Sequence, residues 1–178
     1  KTFEKVPSIN SLLYEFYSMG AVRHGDYIAK VRVIPTEQTK NAITQKDIDL
    51  DSAEWPYRKG IIKEIAQKNL TFELQIQLCK NLKEMPVNDL TKEWSQELSP
   101  FRTVAKITIP KQTVPEDGNF EIMENLSFTP FRTIEENSPI GNLQRSRQSA
   151  YVTSSTSRHE LNHKKRKEPK NLEEAFSL

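Results

Sequence analysis

Arg147 and Tyr151 stand four residues apart in the last part of the chain, and Arg158 follows seven residues after the tyrosine. On a helix of 3.6 residues per turn these three share a face with Ile140, Leu143, Ser154 and Leu161, an apolar frame around a phenol and two guanidinium groups. A guanidinium beside a phenol stabilises the phenolate over the neutral form. A phenolate is a hard anionic ligand suited to ferric iron. The same spacing equally describes an arginine that packs over a tyrosine ring and does nothing else. A second set lies just beyond. His159-Glu160-Leu161-Asn162-His163 carries the letters of the zinc-hydrolase helix, two imidazoles one turn apart with a carboxylate between them. It has no clearly marked third ligand downstream, and it runs directly into Lys164-Lys165-Arg166-Lys167, whereas a metallopeptidase helix is buried beside its cleft. That basic run, 164–170, has the composition of a nuclear-targeting or RNA-binding arm. Without interleaved aromatics or a basic remainder it reads as a solvated helix end, so nucleic acid is not the expected partner.

The elements that must position these groups are marked by periodicity. Tyr27–Ile34 alternates apolar and polar residues, is rich in β-branched side chains and is bounded by Gly25-Asp26 and Pro35, which predicts a strand. Thr71–Cys79 sets Phe72, Leu74, Ile76 and Leu78 against Thr71, Glu73, Gln75 and Gln77, the clearest strand pattern present. Thr103–Ile109 closes at Pro110 and predicts a third. Between the first two, residues 36–52 are polar and without period, which predicts a loop, and apolar residues from Trp55 to Ala66 recur at helical spacing, which predicts a helix over 54–69. No short turn of the Asn-Gly kind joins the strands, so long excursions and helical insertions are expected in an antiparallel or mixed sheet. Ser138-Pro139 looks like a helix opening, since serine caps free amides and proline suits the first helical position. The helix it opens is predicted to run to about Lys165, with its hydroxyl-rich middle, Val152–Ser157, held by tertiary contacts.

Composition bounds the rest. With 178 residues, 35% hydrophobic and 28% charged, and a mean hydropathy of −0.69, the chain is long enough for one domain with a real core and for no comfortable second one. Its 26 basic and 24 acidic residues leave a net charge of +2, so the bulk charge draws it to neither nucleic acid nor anionic lipid. The single cysteine, Cys79, forms no internal disulfide; it reads as a small buried residue in a chain suited to a reducing, cytoplasmic compartment. No apolar run is long enough for a membrane helix, and the first residues lack the apolar core of a signal peptide. The start at Lys1 rather than methionine, and a count of three strands, which cannot close a barrel, together predict a piece of something longer.

Several stretches resemble the catalase superfamily. Asp89-Leu90-Thr91-Lys92-Glu93-Trp94 is similar to the catalase D-L-T-K-x-W, and the following Ser99–Ile107 is similar to its Pro-led strand. Phe128-Thr129-Pro130 resembles F-S-P, and Ser138-Pro139 with Leu143-Gln144 resembles the S-P…L-Q that precedes the haem-ligand helix. Arg147-x-x-x-Tyr151 then resembles R-x-F-x-Y, and Arg158 falls where that family has a further arginine. The stretch from Tyr17 to Lys30 resembles divergent, bacterial-type catalase-like haem proteins. The pattern departs from the family at Ser149, Val152-Thr153 and Ser155, where the family has phenylalanine, Pro-Asp and histidine.

The resemblance implies an α+β fold: part of a catalase-like antiparallel β-barrel with helical insertions, then a long C-terminal helix that contacts haem. It implies a catalase-like domain over 1–167 with a frayed tail over 168–178. It implies haem b, with Tyr151 as axial ligand to iron, Arg147 holding it as phenolate and Arg158 on a propionate, and hydrogen peroxide or an organic hydroperoxide as substrate in a homo-oligomer. The distal histidine that cleaves peroxide is matched by none of His24, His159 and His163, so the chain resembles the C-terminal, proximal-ligand half of such a protein and holds no catalytic group of its own. Two alternatives stay open: a zinc-dependent hydrolase through His159, Glu160 and His163, and a non-enzymatic catalase scaffold.

Overall fold

The computed structural model describes residues 8–51, 54–114, 126–165 and 170–175. Five strands form one sheet: β1 (Phe16–Tyr17), β2 (Val22–His24), β3 (Tyr27–Pro35), β4 (Leu70–Leu78) and β5 (Arg102–Ile109), in the order β1-β3-β4-β5 with β2 also on β3. The pairings of β1 and β2 with β3 and of β4 with β5 are antiparallel. β3 and β4 follow suit, with the Cys79 N–H donating to the Ile28 carbonyl at one end and the Thr36 N–H to the Thr71 carbonyl at the other. The fold is α+β, and its sheet is a partial barrel whose path ends at β1 and β5 without closing among the described residues. β5 is accordingly exposed along most of its length, Val104 and Ile107 included, because among the described residues only β4 pairs with it.

By contacts the chain divides into two units. The first comprises Lys1–Ser18, Val31–Gln77 and Phe101–Glu116. Its core gathers Leu12, Ile43, Ile65, Leu70 and Phe72, with Val33, Ile61 and Ile109 packed against them. The predicted loop over 36–52 contains a short helix, α1 (Glu37–Ala42). Its polar sequence has no apolar period to betray it; hydrogen bonds make it instead, with Thr36 Oγ1 accepting from the Thr39 N–H and Thr39 Oγ1 donating to the Thr71 carbonyl at 2.7 Å. α2 (Pro56–Ile65) is shorter than the pattern over 54–69, beginning where proline takes the first helical position after a left-handed Trp55. Its Glu64 is completely buried and latches the loop before it. Glu64 Oε1 accepts from the Thr44 N–H, the Thr44 hydroxyl and the Gln45 N–H at 2.7–3.0 Å, and Oε2 pairs with Lys68 Nζ at 2.8 Å. On β4 the apolar alternation holds at Phe72 and Ile76, but Gln75 is buried as well, because Arg32 Nε and Nη2 both donate to its Oε1 while the Arg32 guanidinium stacks 4.1 Å from the Phe101 ring.

The second unit comprises Met19–Lys30, Leu78–Pro100 and Asp117–Leu178. Here β2, not among the expected strands, is joined to β3 by a two-residue turn at Gly25-Asp26, with Gly25 at φ +62°, while β3, β4 and β5 are separated by long excursions as expected. Its core is Ala21, Met85 and Trp94, with Ile28, Cys79, Val87 and Ile140 against them. Ser138-Pro139 does not open the long helix. Residues 138–140 are instead held extended on β2, the Arg23 N–H donating to the Ser138 carbonyl and the Ile140 N–H to the Ala21 carbonyl. Helix α3 (Asn142–Leu161) begins only after Gly141, whose φ of 95° and ψ of 165° suit glycine alone. It ends at Leu161, four residues short of the expected Lys165. Within the tail, α4 (Leu172–Ala175) forms one helical turn, and residues 166–169 and 176–178 lie outside the described residues.

Candidate functional site

The site is built on α3, whose first turn is met by the loop that holds Asn88. Asn88 Oδ1 accepts from the Asn142 N–H at 2.8 Å, satisfying one of the free amides of the first turn. Asn88 leads into the stretch Asp89–Trp94. There the Asp89 carboxylate accepts from the Thr91 hydroxyl at 2.6 Å and N–H at 3.0 Å, bonds that keep it below its ordinary pKa, and buried Trp94 donates to the Pro86 carbonyl at 3.0 Å. Lys30 lies 4.6 Å over the Trp94 ring, and its pKa is lowered by burial against the opposing pull of Glu93. The Asp89–Trp94 stretch is thus a packing unit that seats α3.

The inward face of α3 runs Gln144, Arg147, Tyr151, Ser155, Arg158 and His159. It differs from the predicted stripe: Ile140 precedes the helix, Gln144 and His159 are buried on this face, Ser155 rather than Ser154 is partly covered, and Leu161 is 79% exposed. Gln144 is buried beneath Gly20, where a Cβ would come within 3.1–3.2 Å of its side chain, so a larger residue there would press on Gln144. Gln144 Oε1 accepts from Arg147 Nη1 at 2.9 Å, and Arg147 Nη2 donates to the Tyr151 phenol oxygen at 2.7 Å. The guanidinium also lies 5.3 Å from the Tyr151 ring centroid. A relay of contacts, Gly20 to Gln144 to Arg147 to Tyr151, therefore aims a cation at the phenol oxygen.

Tyr151 opens onto a cavity of about 30 Å³ that it lines with Val152 and Ser155 from α3 and with Ser127, Phe128, Thr129 and Arg132 from the segment before the helix. This segment is pinned to α3 by its last turn. Arg158 Nη2 donates to the Leu126 carbonyl at 2.6 Å and to Ser127 Oγ at 3.4 Å, and Arg132 Nη1 donates to the Ser127 carbonyl at 2.9 Å. His159, 4% exposed, sits with Nε2 3.2 Å from Ser127 Oγ, and its Nδ1 has no partner among the described residues.

The structure brings together Arg147 and Tyr151 and places Arg158 one wall away. It does not bring together His159, Glu160 and His163. The first is buried against Ser127, the second is exposed on the far side of the helix, and the third lies past its end at φ +53°. Among the described residues no group of three or more His, Cys, Asp or Glu side chains is placed to hold a metal ion, so the zinc set is not assembled. Cys79 sits half-buried with Sγ 3.5 Å from the Met85 carbonyl, and burial pushes its thiol up. Sequence reasoning missed Gln144 as the support of Arg147, and missed Ser127 and Arg132 as wall residues. The first was within reach as a polar residue three before Arg147, while the others depend on a contact across more than twenty residues.

The chain is similar to solved catalases. One is a fungal catalase crystal structure, with a TM-score of 0.65 and 21% identity over 86% of this chain and 32% of that one. Another is catalase A from Saccharomyces cerevisiae, with a TM-score of 0.63 and 21% identity over 84% of this chain and 32% of that one. No protein-family model matches the chain, and no curated protein matches it. The likeness defines a catalase-like fold, of which the chain spans about a third of the length of the solved catalases. Among the described residues no helix is long and apolar enough to cross a membrane.

Proposed function

We propose that this chain is the proximal part of a catalase-like haem protein, with 1–167 as its catalase-like portion and Tyr151 as the axial ligand of haem b. The observation that carries this reading is the 2.7 Å bond from Arg147 to the Tyr151 oxygen, backed by buried Gln144 and set beside an open cavity. The donor set fits the group: a phenol oxygen that accepts from a guanidinium, and an apolar surface for a flat ring. Phe128 is 74% exposed and Val152 53% exposed around the mouth of the cavity, a cost in apolar area that a porphyrin would relieve. A cavity of about 30 Å³ is well under the roughly 300 Å³ at which ligand pockets begin, so the described residues offer one wall and not an enclosure.

Haem held through Tyr151 would supply the redox chemistry of a peroxide-decomposing protein. The residues of this chain do the holding. Arg147 donates to the Tyr151 oxygen, Gln144 keeps Arg147 in place, and Phe128 and Val152 would offer the ring an apolar surface. Peroxide or an organic hydroperoxide is the substrate proposed for the whole protein, in which the acid–base group for that step comes from outside the proximal set.

The test is a titration of the folded chain with ferric haem, followed by absorption. Saturation at one haem per chain is expected, with affinity reduced at least tenfold in Arg147→Met. Absence of saturable binding by a sample whose circular dichroism shows it folded overturns the reading.

A further inference from the structure

We propose that Ser127 is a nucleophile activated by His159 and takes short acyl groups from esters, an activity that stands apart from the haem reading above. Ser127 Oγ has two polar neighbours among the described residues. One is Arg158 Nη2 at 3.4 Å, a nitrogen that can only donate. The other is His159 Nε2 at 3.2 Å, the one acceptor facing the hydroxyl proton among the described residues. The Ser127 proton is therefore directed to Nε2, which assigns the ring hydrogen of His159 to Nδ1. That Nδ1 has no partner among the described residues, although His159 is only 4% exposed. The imidazole thus leaves one nitrogen unsatisfied in the interior while its basic nitrogen rests on a serine, an arrangement that a purely structural histidine gains nothing from.

The surroundings suit acyl transfer. Ser127 is half-buried and lines the cavity of about 30 Å³, so the serine is within reach of a small molecule while its base stays covered. Arg158 Nη2 is held beside Oγ by its 2.6 Å bond to the Leu126 carbonyl and meets the negative charge that grows on that oxygen as the proton leaves. Nε2 takes the proton, Oγ bonds to the acyl carbon, the ester carbon–oxygen bond breaks, and the proton passes from Nε2 to the departing alkoxide. Water then attacks acyl-Ser127 in the same way, giving its proton to Nε2, which returns it to Oγ as the carboxylic acid leaves. A cavity with the room of about one water accepts the acyl group of an acetate ester and has no space for a long chain, which sets the substrate class.

The test incubates the full, haem-free chain with p-nitrophenyl acetate, follows the release of p-nitrophenolate by absorption, and locates the acetyl group by mass spectrometry of its peptides. Acetylation at Ser127 is expected. Ser127→Ala is expected to abolish it, and His159→Gln, which leaves the serine in place, to slow it about a hundredfold. p-Nitrophenyl octanoate is expected to react at least about tenfold more slowly than the acetate, as a small cavity requires. Circular dichroism shows whether each variant is folded, and Ser127→Ala, which removes one oxygen from a half-buried position, decides the matter where His159→Gln unfolds. Acetyl groups found on Tyr151 or on lysines with Ser127 unmodified, or a rate that Ser127→Ala leaves unchanged, overturns the assignment. An octanoate rate equal to that of the acetate overturns the short-chain class.

Discussion

Replacing Glu64 by glutamine removes a buried anion from the centre of four donors, and the structure sets the size of the effect. Burial alone would push this carboxyl up. The Lys68 ammonium, the Gln45 N–H and the Thr44 hydroxyl and N–H outweigh it and bring the pKa from 4.5 down to about 2. A carboxyl that ionises at about 2 when folded and at its ordinary value when unfolded is worth about 3 kcal/mol to the folded state at neutral pH. Because the folded value is the lower one, that stability is fully present above pH 4.5 and is lost as pH falls from there through about 2. Glu64→Gln keeps the shape, but its amide turns a donor toward Lys68, so a cost of about 3 kcal/mol at pH 7 is expected. Urea unfolding at pH 7 and pH 3, followed by circular dichroism, measures it. The gap between the unaltered chain and the variant should narrow at pH 3, since other carboxylates titrate equally in both. A gap under about 1 kcal/mol at pH 7, or one that does not narrow in acid, refutes the reasoning about the latch.

Gly141→Ala places a Cβ 2.8 Å from Val87 Cγ1 at a φ of +95°, so a loss of about 2 kcal/mol or more is expected in urea unfolding, and a neutral result would show that α3 starts elsewhere. Trp94→Ala empties a fully covered site and breaks the bond to the Pro86 carbonyl; a loss of about 3–5 kcal/mol is expected in the same assay. Gln144→Leu leaves Arg147 Nη1 without its acceptor and should weaken ferric haem binding several-fold with little change in stability. Full retention of affinity would remove Gln144 from the relay.

The strands that alternate cleanly were legible in the sequence. Tyr27–Ile34, Thr71–Cys79 and Thr103–Ile109 lie within one residue of β3, β4 and β5 at each end. The two short strands were not, since Phe16–Tyr17 and Val22–His24 are too brief to show a period and exist because β3 offers them an edge. Gly25-Asp26 carried a hairpin signal that a search for Asn-Gly passes over. Helix α1 was invisible for a different reason: its polar residues are stabilised by threonine hydrogen bonds to β4 rather than by an apolar face. Ser138-Pro139 misled because the local opening signal lost to pairing with β2, a tertiary contact that no local pattern records.

The same division runs through the site. Arg147 and Tyr151 are neighbours on one helix, so spacing alone was enough to pair them, and the 2.7 Å bond follows from it. The partners of Arg158 and His159 lie at Leu126 and Ser127, and helical spacing says nothing of a wall supplied from more than thirty residues away. The imidazole pair fails for a geometric reason too, because α3 ends before His163 can complete the turn that would align it with His159.

The most direct test of the central claim is the identity of the iron ligand in the haem-loaded chain, read from the phenolate-to-iron charge-transfer band and its resonance Raman modes. A band present in the unaltered chain and lost in Tyr151→Phe is the predicted result. A histidine-type spectrum, or a spectrum that Tyr151→Phe leaves unchanged, would contradict it.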